Sequence, residues 1–326
     1  MCFSSIEGDN LQIVFMVYDS RSGSTFLSKK ISEELDDVIV TPELGFDSLF
    51  RCRENVFSKE DALSIIKDSY RVGDFRNLNV NEASLERAIK KLPNPIQTQD
   101  IVQCVLEQWL KRMGRSASRI IIKNGSHARY WRKIKQLWPQ KARFIFVFRD
   151  PRAVVNSKLR TVRPYHSHEV MAWGGTLLAA WRWRSYAQQM RKASAAGLCV
   201  LDVQYERLVA EPEVVINEIA VFLGAQRAQA KAPGSYEIPT TERGIHTLVA
   251  AGSIVKERAK AWIQELSSFD RSVIESVCNG EMMCRGYSNL RVHGKIASFF
   301  YQLAAIPQML LRVFRHYLYR LINHGE

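Results

Sequence analysis

The chain has 326 residues, of which 46% are hydrophobic and 24% are charged, and these proportions are ordinary for a soluble globular protein. The length is ample for a buried core and allows one large α/β domain or two smaller ones. The formal net charge of +13 is unusually basic, and it favours anionic ligands such as nucleotides, acidic glycans, nucleic acid or an anionic membrane.

The cysteines and the N-terminus indicate the compartment. The six cysteines are scattered, without a C-x-x-C pair or a Cys/His cluster of zinc spacing, which argues against disulfides and against a zinc site. Residues 1–10, MCFSSIEGDN, lack the basic segment and apolar core of a secretory signal. We therefore expect the protein in the reducing cytoplasm, with its cysteines as thiols.

An anion-binding turn is predicted near the N-terminus. Residues 12–31, QIVFMVYDSRSGSTFLSKKI, combine an apolar, β-branched strand with a short polar turn and a helix. Such a turn points backbone N–H groups and a helix N-terminus at one spot, which suits phosphate or sulfate. Gly23 allows close approach, and Arg21 adds a fixed positive charge. The turn is not G-x-x-x-x-G-K-[ST], so ATP or GTP has no direct support, and an ordinary turn with a serine N-cap is the alternative.

A carboxylate is predicted beside this turn. The second strand, residues 37–40, runs into a loop that contains Glu43. In a parallel sheet this loop lies at the carboxyl edge, where ligands bind in open α/β folds. Glu43 is therefore directed towards the predicted anion site, and a solvated loop glutamate is the alternative. Residues 45–118 then carry amphipathic patterns separated by Gly, Pro and Asn, which predict a helical insertion that covers the site and contacts the second substrate.

A second anion-binding unit is predicted after the strand at residues 143–148. The sequence there continues as RDPRAVVNS. Pro151 at the first helical turn and Asp150 as a cap predict the start of a helix. Arg149 at the strand end and Ser157, two helical turns later, are then able to contact one anion.

The rest of the globular part alternates between strands, helices and loops. We predict a third strand at residues 119–123, a long helix at 170–195, a fifth strand at 198–205, a capped helix ending at Gly224, an irregular loop at 225–260 and a helix at 268–283. Three tryptophans of the long helix, Trp173, Trp181 and Trp183, are assigned to helix packing. Long loops within a compact domain are often functional.

The tail, residues 296–322, differs from the rest of the chain. Its first part, residues 296–311, has no charge, but it is interrupted by Pro307 and is shorter than the roughly 20 residues that span a bilayer. Arginines then alternate with apolar residues. This pattern predicts an amphipathic helix attached to a membrane surface. Packing of the tail on the domain and a homodimer contact are the alternatives.

Three segments resemble motifs of the sulfotransferases that use 3′-phosphoadenosine 5′-phosphosulfate (PAPS). SRSGSTFLS resembles the 5′-phosphosulfate loop of the carbohydrate-type and bacterial branch, in which arginine replaces the lysine of cytosolic aryl enzymes. FIFVFRDPRAVVNS resembles the family's 3′-phosphate-binding strand, turn and helix, with the same Arg149 to Ser157 spacing. VQYERLVAEPEVVINEIAVFLG resembles a later family segment, with Arg207 in place of the usual acidic residue. The resemblance covers about residues 11–287, with the helical insertion and the tail outside it.

The resemblance implies an α/β fold similar to that of P-loop NTPases, with a central parallel sheet flanked by helices. The sulfotransferase domain would occupy residues 1–290, with residues 45–118 as the helical insertion that shapes the acceptor site. Residues 291–326 would form the apolar, amphipathic C-terminal tail.

The resemblance also assigns residues to the cofactor. By motif match, Arg21 stabilises the transferring sulfuryl group, while Arg149 and Ser157 bind the 3′-phosphate that distinguishes PAPS from ATP. The cradle for the 5′-phosphosulfate comprises Arg21, Ser22, Gly23, Ser24, Thr25 and Phe26. Further candidate contacts to the cofactor are Tyr205, Lys256 and Arg258.

Two residues compete for the role of general base, which a hydroxyl acceptor requires. Glu43 follows the second strand, where carbohydrate-type and protein-tyrosine members carry a catalytic glutamate. His127 follows the third strand, near the catalytic histidine of aryl members, but it is displaced from their K-T-H pattern. Because the phosphosulfate loop is of the arginine type, Glu43 is preferred. Lys123 is a candidate for positioning the sulfuryl group or the acceptor.

The resemblance predicts transfer of a sulfuryl group from PAPS to a hydroxyl or amine of a saccharide, glycolipid or natural product, leaving 3′-phosphoadenosine 5′-phosphate (PAP). The binding groups are cationic, so no metal is expected. One alternative is a nucleotide or small-molecule kinase of the same fold, although the sequence lacks Gly-Lys-Ser/Thr and a clear aspartate pair for Mg²⁺. The other is a non-enzymatic binder of nucleic acid or anionic membrane, but the basic residues form no recognised nucleic-acid module, so nucleic acid is not expected.

Overall fold

Strands and helices alternate along the chain. The computed structural model describes residues 11–163, 166–229, 236, 238, 259–289 and 294–323. In chain order the elements are β1 (Gln12–Tyr18), α1 (Ser24–Glu34), β2 (Val38–Glu43), α2 (Asp47–Arg51), β3 (Val56–Phe57), α3 (Lys59–Val72), α4 (Glu82–Lys90), β4 (Ile96–Gln97), α5 (Thr98–Met113), β5 (Arg119–Lys123), a 3₁₀ helix (Gly125–Tyr130), α6 (Trp131–Leu137), β6 (Arg143–Phe148), α7 (Pro151–Arg160), β7 (Val162–Arg163), β8 (His166–Val170), α8 (Gly175–Ala195), β9 (Cys199–Gln204), α9 (Tyr205–Ala210), α10 (Pro212–Leu223), α11 (Trp262–Glu265), α12 (Ser268–Cys284) and α13 (Lys295–Asn323).

Five parallel strands form the central sheet, in the order β2-β5-β1-β6-β9. Strand β1 lies between β5 and β6, where Phe15 pairs with Ile122 on one side and with Phe144 on the other. Because the strands are parallel, their carboxyl ends meet at one edge, and the strand order changes direction around β1. The predicted α/β fold with a central parallel sheet is confirmed, and the expected ligand crevice lies beside the end of β1.

Alternate residues of β1 supply two layers of core. Phe15 and Val17 belong to the layer that contains residues of α5, α6, α8 and α12, whereas Val14 and Met16 belong to the layer beneath α1 and α10. This division follows from the period of two in a strand. A strand that is buried on both faces needs apolar residues at every position, which explains the continuous apolar run in the sequence.

Helices α2 to α5 fill residues 45–118, as the amphipathic patterns predict. The side chains of Ser58 and Asn81 cap α3 and α4, and Ile66 and Leu85 of these helices are fully buried in the core. The segment also contains the antiparallel pair β3–β4, which the sequence did not indicate. Strands of two residues are too short to show a hydrophobic period.

The long helix after α7 begins later than predicted. The sequence predicts a helix from residue 170, but His166–Val170 forms β8, which pairs antiparallel with β7. Helix α8 starts at Gly175. Of its tryptophans, Trp183 is buried in the core as expected, whereas Trp181 is 36% exposed and lies outside the core.

The C-terminal residues form one helix, α13, that packs against α8 and α12. The helix continues through Pro307, so the predicted interruption is wrong. A proline removes one backbone donor from a helix, and the packing of α13 against α8 and α12 offsets that loss. Lys295–Tyr319 is long and apolar enough to cross a membrane, with a mean hydropathy of 1.2, and is the one such helix among the residues that the structure describes.

Candidate active site

Polar side chains stand where neighbouring strands of the sheet end. Glu43 and Lys123 are the last residues of β2 and β5, while Arg149 and Tyr205 directly follow β6 and β9. Glu43 and Lys123 are also partners in the ladder between β2 and β5. Since the carboxyl ends of parallel strands share one edge, these residues and the turn after β1 surround the same crevice. The sequence predicts that Glu43 lies in the loop after the second strand. In the structure β2 continues to Glu43, with a shift in its pairing to β5 between Val40 and Glu43.

The turn after β1 permits close approach of a ligand. Arg21 and Gly23 both have positive φ angles, 73° and 90° respectively. Gly23 precedes α1, and no side chain in the described part of the chain caps this helix. The predicted alternative of a serine N-cap is therefore not formed. A Cβ atom at position 23 would lie 2.2 Å from the Tyr205 ring, so this position requires glycine for space as well as for backbone conformation.

The Ser22 hydroxyl is buried in the turn. The residue is 1% exposed, and its Oγ atom makes no hydrogen bond within the described residues. Buried hydroxyls nearly always have a hydrogen-bond partner, so this one offers an unused donor at the turn. Ser24, Thr25 and Phe26 follow in the first turn of α1 and are also buried, with Phe26 in the core beneath that helix.

The two predicted anion-binding segments are in direct contact. Arg21 Nε donates a hydrogen bond to Ser157 Oγ on α7 at 3.0 Å. Arg149 Nη1 donates to the carbonyl oxygen of Arg21 at 3.3 Å, and its guanidinium lies 4.6 Å from the centre of the Tyr205 ring. Arg21, Arg149 and Ser157 thus share one region with Tyr205, as their positions in the sequence predict.

A buried ion pair, Lys158 with Asp19, joins the same two segments behind this contact. Both side chains are inaccessible to solvent. Burial lowers the pKa of Lys158, and the neighbouring Asp19 carboxylate opposes that shift. The sequence pattern does not predict this pair. The sequence shows only that Asp19 is the first residue of the turn and that Lys158 follows Ser157. The proximity of the two side chains depends on how the turn after β1 packs against α7.

The start of α7 is held by a second charged cluster. The Asp150 side chain accepts a hydrogen bond from the Arg152 backbone N–H at 2.8 Å, so the predicted cap is present. Arg152 also pairs with Asp150 and with Glu275, and all three residues are buried. Glu206 accepts from the Asp150 backbone N–H at 3.0 Å and from the Tyr287 hydroxyl at 2.8 Å. Burial raises the pKa of Glu206, an effect that the Asp150 N–H opposes. This cluster fixes the helix that carries Ser157.

The Glu43 carboxylate is oriented by a tyrosine. Tyr18, the last residue of β1, donates its hydroxyl to Glu43 Oε1 at 2.5 Å. Glu43 is partly exposed, and its backbone carbonyl accepts from Asn77 Nδ2 at 3.5 Å. A carboxylate has two oxygens with about four acceptor positions, so the hydrogen bond from Tyr18 leaves capacity for a further donor. The sequence predicts only that Tyr18 belongs to a strand, and it does not predict this contact with Glu43.

Lys123, the last residue of β5, is fully buried. Its Nζ atom donates to the Tyr236 hydroxyl at 2.8 Å and to Thr25 Oγ1 at 3.2 Å. The same atom lies 5.7 Å from the centre of the Tyr18 ring. The ammonium group therefore links Thr25 of α1 to Tyr18, the tyrosine that orients Glu43. The sequence predicts the position of Lys123 at the end of its strand, but it does not predict these partners.

His127, the other candidate base, lies in an aromatic cluster. It is 0% exposed, and its ring packs against those of Phe15, Phe46 and Phe50 at centroid distances of 5.6, 6.1 and 5.5 Å. Its Nε2 accepts a hydrogen bond from the Phe46 backbone N–H at 3.2 Å. Burial lowers the pKa of His127 to about 4, although Asp47 opposes the shift. The structure therefore encloses this imidazole in the aromatic cluster, whereas Glu43 is partly exposed.

Two predicted contacts lie outside the described residues, namely Lys256 and Arg258. Within the part of the chain that the structure describes, no group of three or more His, Cys, Asp or Glu side chains is arranged to hold a metal ion. The polar groups of the crevice are instead mainly cations and hydroxyls. Such groups suit an anionic ligand bound directly by the protein.

Solved structures with a similar fold are sulfotransferase domains. The domain from the curacin biosynthetic pathway shares 16% identity, with a TM-score of 0.56 over 85% of this chain and 98% of that domain. The domain from the Synechococcus PCC 7002 olefin synthase shares 18% identity, with a TM-score of 0.56 over 86% of this chain and 97% of that domain. At these identities the similarity establishes the fold.

Sequence comparison gives the family. A Caenorhabditis briggsae protein named "Putative protein-tyrosine sulfotransferase" is 28% identical over 130 residues, which are 40% of this chain and 45% of that protein. The aligned part thus spans less than half of that relative. A family model described as the sulfotransferase family matches residues 14–229, a range that includes both arginine segments and the end of β9. The chain belongs to the sulfotransferase family.

Proposed function

We propose that the protein transfers a sulfuryl group from PAPS to a hydroxyl or amine of an acceptor. The observation that carries this proposal is the 3.0 Å hydrogen bond between Arg21 and Ser157. It joins the segment that resembles a 5′-phosphosulfate loop to the segment that resembles a 3′-phosphate site. A ligand with anionic groups at both the 5′ and the 3′ positions suits this combination.

The residues of the crevice fit PAPS. The buried Ser22 hydroxyl has no hydrogen-bond partner in the described residues, and the Tyr205 ring fills the space that a side chain at Gly23 would need. We assign the 5′ end of the cofactor to the turn from Arg21 to Phe26. The 3′-phosphate is assigned to Arg149 and Ser157. Lys256 and Arg258 remain proposed contacts.

The cationic groups have a catalytic role in this proposal. When bound, PAPS supplies the sulfuryl group and a phosphate leaving group. Negative charge builds on the leaving oxygen in the transition state, and fixed N–H donors stabilise that charge without reorganisation. Arg21 holds a rigid guanidinium at the turn because its Nε is bound to Ser157. Lys123 provides a second, buried positive charge beside α1 through Thr25.

Glu43 is proposed as the general base. Its carboxylate is partly exposed at the carboxyl edge and is oriented by the Tyr18 hydroxyl at 2.5 Å, so it can take a proton from an acceptor hydroxyl. His127 is enclosed by aromatic rings, and burial opposes its protonation. These observations favour Glu43 over His127.

The acceptor is proposed to be a hydroxyl of a saccharide, a glycolipid or a natural product. Asn77 reaches the Glu43 backbone from the segment between α3 and α4, which brings the insertion next to the proposed base. The insertion is therefore the part of the chain that we assign to acceptor recognition.

A reducing compartment such as the cytoplasm suits the five described cysteines, which are all free thiols.

A transfer assay tests the proposal. The full chain is incubated with ³⁵S-labelled PAPS and fractions of a host extract, and labelled products are separated and identified. Label in a saccharide, lipid or small molecule that depends on the active protein supports the proposal. Absence of any labelled product across all fractions, with PAP binding also absent, would contradict it.

Two variants separate the candidate bases. Glu43→Gln should lower turnover by about 10²-fold or more, because a positioned base typically contributes 10²–10⁴-fold, while PAP affinity stays unchanged. Glu33→Gln, an acidic residue near the surface of α1, is the matched control. His127→Leu should leave turnover within a fewfold of the wild type. Unchanged turnover in Glu43→Gln would remove Glu43 as the base.

A further inference from the structure

Helix α13 has one face on the protein and one face in solvent. On the packed face, Ala305 is 3% exposed, the Tyr301 ring contacts that of Phe269 at 6.2 Å, and the His316 ring stacks on Trp173 at 4.6 Å. His316 also pairs with Glu169. These contacts fix the orientation of the helix on α8 and α12, so the composition of the opposite face is determined.

The opposite face consists of exposed apolar side chains. Their spacings of one, three or seven residues place them on one side of an α-helix. They are Ile296, Phe299, Phe300, Leu303, Leu310, Leu311, Phe314, Tyr317, Leu318 and Leu321, each between 43% and 77% exposed. We call this set the apolar face of α13. It extends along most of a 29-residue helix that is about 44 Å long at the usual rise of 1.5 Å per residue.

This contiguous surface differs from the single exposed apolar residues that are common on soluble proteins. Contiguous apolar patches beyond a few hundred Å² mark sites that bind protein, membrane or ligand. The composition of the helix indicates which partner fits. Residues 295–323 contain no Asp or Glu, but they include Lys295, Arg312, Arg315 and Arg320. The only formal charges that the helix carries are therefore positive.

We propose that the apolar face of α13 docks the protein on an anionic lipid surface, with the helix lying in the plane of the interface. Aromatic and leucine side chains on one face of a helix whose only charged residues are basic are the features of interfacial helices, and basic residues are attracted to anionic headgroups. The protein's net charge of +13 acts in the same direction.

Two other arrangements fit the structure less well. A spanning orientation would expose the packed face to lipid and would break the contacts of His316 with Trp173 and Glu169. A second copy of the chain on the same face would bring two sets of basic residues together, because neither helix has an acidic residue to pair with them. An anionic bilayer satisfies both the apolar face and the charge.

Vesicle flotation tests the proposal directly. The full chain is mixed with vesicles of phosphatidylcholine alone or with added phosphatidylserine, and the floated fraction is measured. We expect flotation with the anionic vesicles and weaker flotation with the neutral ones. The double variant Leu303→Glu/Phe314→Glu should reduce the bound fraction at least about tenfold, since it places two charges on the surface that enters the lipid. Equal flotation of this variant would overturn the proposal.

A matched control and a second variant keep the result interpretable. Val221→Glu alters an apolar side chain of α10 that is 83% exposed and outside α13, and it should not change flotation. Arg315→Gln should weaken binding about fivefold on anionic vesicles, from about 1 kcal/mol per basic residue, and should leave binding to neutral vesicles unchanged. Equal weakening on both lipids would contradict the role assigned to charge.

The other occupants give distinct results. A dimer that forms without lipid and is lost in the double variant, together with no flotation of the wild type, would assign the face to a second copy and overturn the proposal. Binding that resists extraction with alkaline carbonate would indicate a spanning helix and would also overturn it. Flotation does not depend on turnover, so its outcome is independent of the proposed sulfotransferase activity.

Discussion

The Arg21 guanidinium and the Ser157 hydroxyl, which come from distant parts of the chain, form a hydrogen bond of 3.0 Å. Arg21 belongs to the turn after β1, and Ser157 belongs to the helix after β6. The adjacent Asp19–Lys158 ion pair makes a second link between the same two segments. These two links hold the turn after β1 and the helix α7 in a fixed relation, so an anion that binds to one segment also affects the position of the other.

Arg149 is predicted to determine the preference for a 3′-phosphate. Arg149→Ala should lower PAP affinity by about 10- to 100-fold, because hydrogen bonds to charged groups contribute about 1.5–3 kcal/mol, while AMP affinity changes little. Titration calorimetry with both nucleotides measures the ratio. Arg207→Ala is a suitable control, because this exposed arginine pairs with Glu218 on the surface. An equal loss of PAP and AMP affinity in Arg149→Ala would contradict the assignment.

Tyr18 is predicted to act as a positioning residue for Glu43. Tyr18→Phe keeps the ring near Lys123 but removes the hydroxyl that donates to Glu43 Oε1 at 2.5 Å. We expect kcat to fall about tenfold, as for loss of one hydrogen bond to a charged group, with the affinity for PAP unchanged. A steady-state assay combined with PAP titration separates the two effects. A loss of PAP affinity as large as the loss of kcat would show that the hydroxyl acts on the cofactor side.

His127 is predicted to make stability depend on pH. Burial lowers its pKa to about 4 from an ordinary value of 6.5, so the folded protein holds a neutral ring at pH values where the unfolded chain binds a proton. The stabilisation is present above pH 6.5 and is lost as the pH falls towards 4. Between pH 7 and pH 5, urea unfolding should lose about 2 kcal/mol more in the wild type than in His127→Leu. The same pH dependence in both proteins would contradict this account.

Gly23 is predicted to be irreplaceable in the turn. Gly23→Ala places a Cβ atom 2.2 Å from the Tyr205 ring at a φ of 90°. We expect PAP affinity to fall about tenfold or more, because backbone strain of this kind costs about 1–3 kcal/mol. Gly280→Ala is the control, since among the described residues no atom beyond its own stretch of helix lies within 4 Å of the added Cβ, and it should stabilise α12 slightly. Wild-type affinity in Gly23→Ala would show that the turn tolerates a side chain.

The local parts of the site could be predicted from the sequence because each is a short, continuous pattern. The turn with Arg21 follows an apolar strand. Arg149 stands at the end of another strand, and Ser157 lies two helical turns later. Parallel strands bring their ends to one edge, so the meeting of these segments follows from topology. Glu43 is predicted in the same way, from its place after the second strand, whereas Lys123 is a candidate through the family resemblance.

The contacts that join distant segments could not be predicted. The Asp19–Lys158 pair and the Tyr18–Glu43 hydrogen bond depend on side-chain packing, which leaves no period in the sequence. The enclosure of His127 depends on three phenylalanines from two separate segments. The continuity of α13 through Pro307 depends on packing against α8 and α12, which overrides a local preference against proline.

Titration calorimetry of PAP against ADP tests the central claim most directly. The full chain is titrated with each nucleotide in the presence of EDTA and again with Mg²⁺. A sulfotransferase that holds both phosphate positions with Arg21, Arg149 and Ser157 should bind PAP in EDTA, at least about tenfold more tightly than ADP, with no gain from Mg²⁺. Equal affinity for the two nucleotides, or binding of ADP that appears only with Mg²⁺, would contradict the account and would favour a kinase.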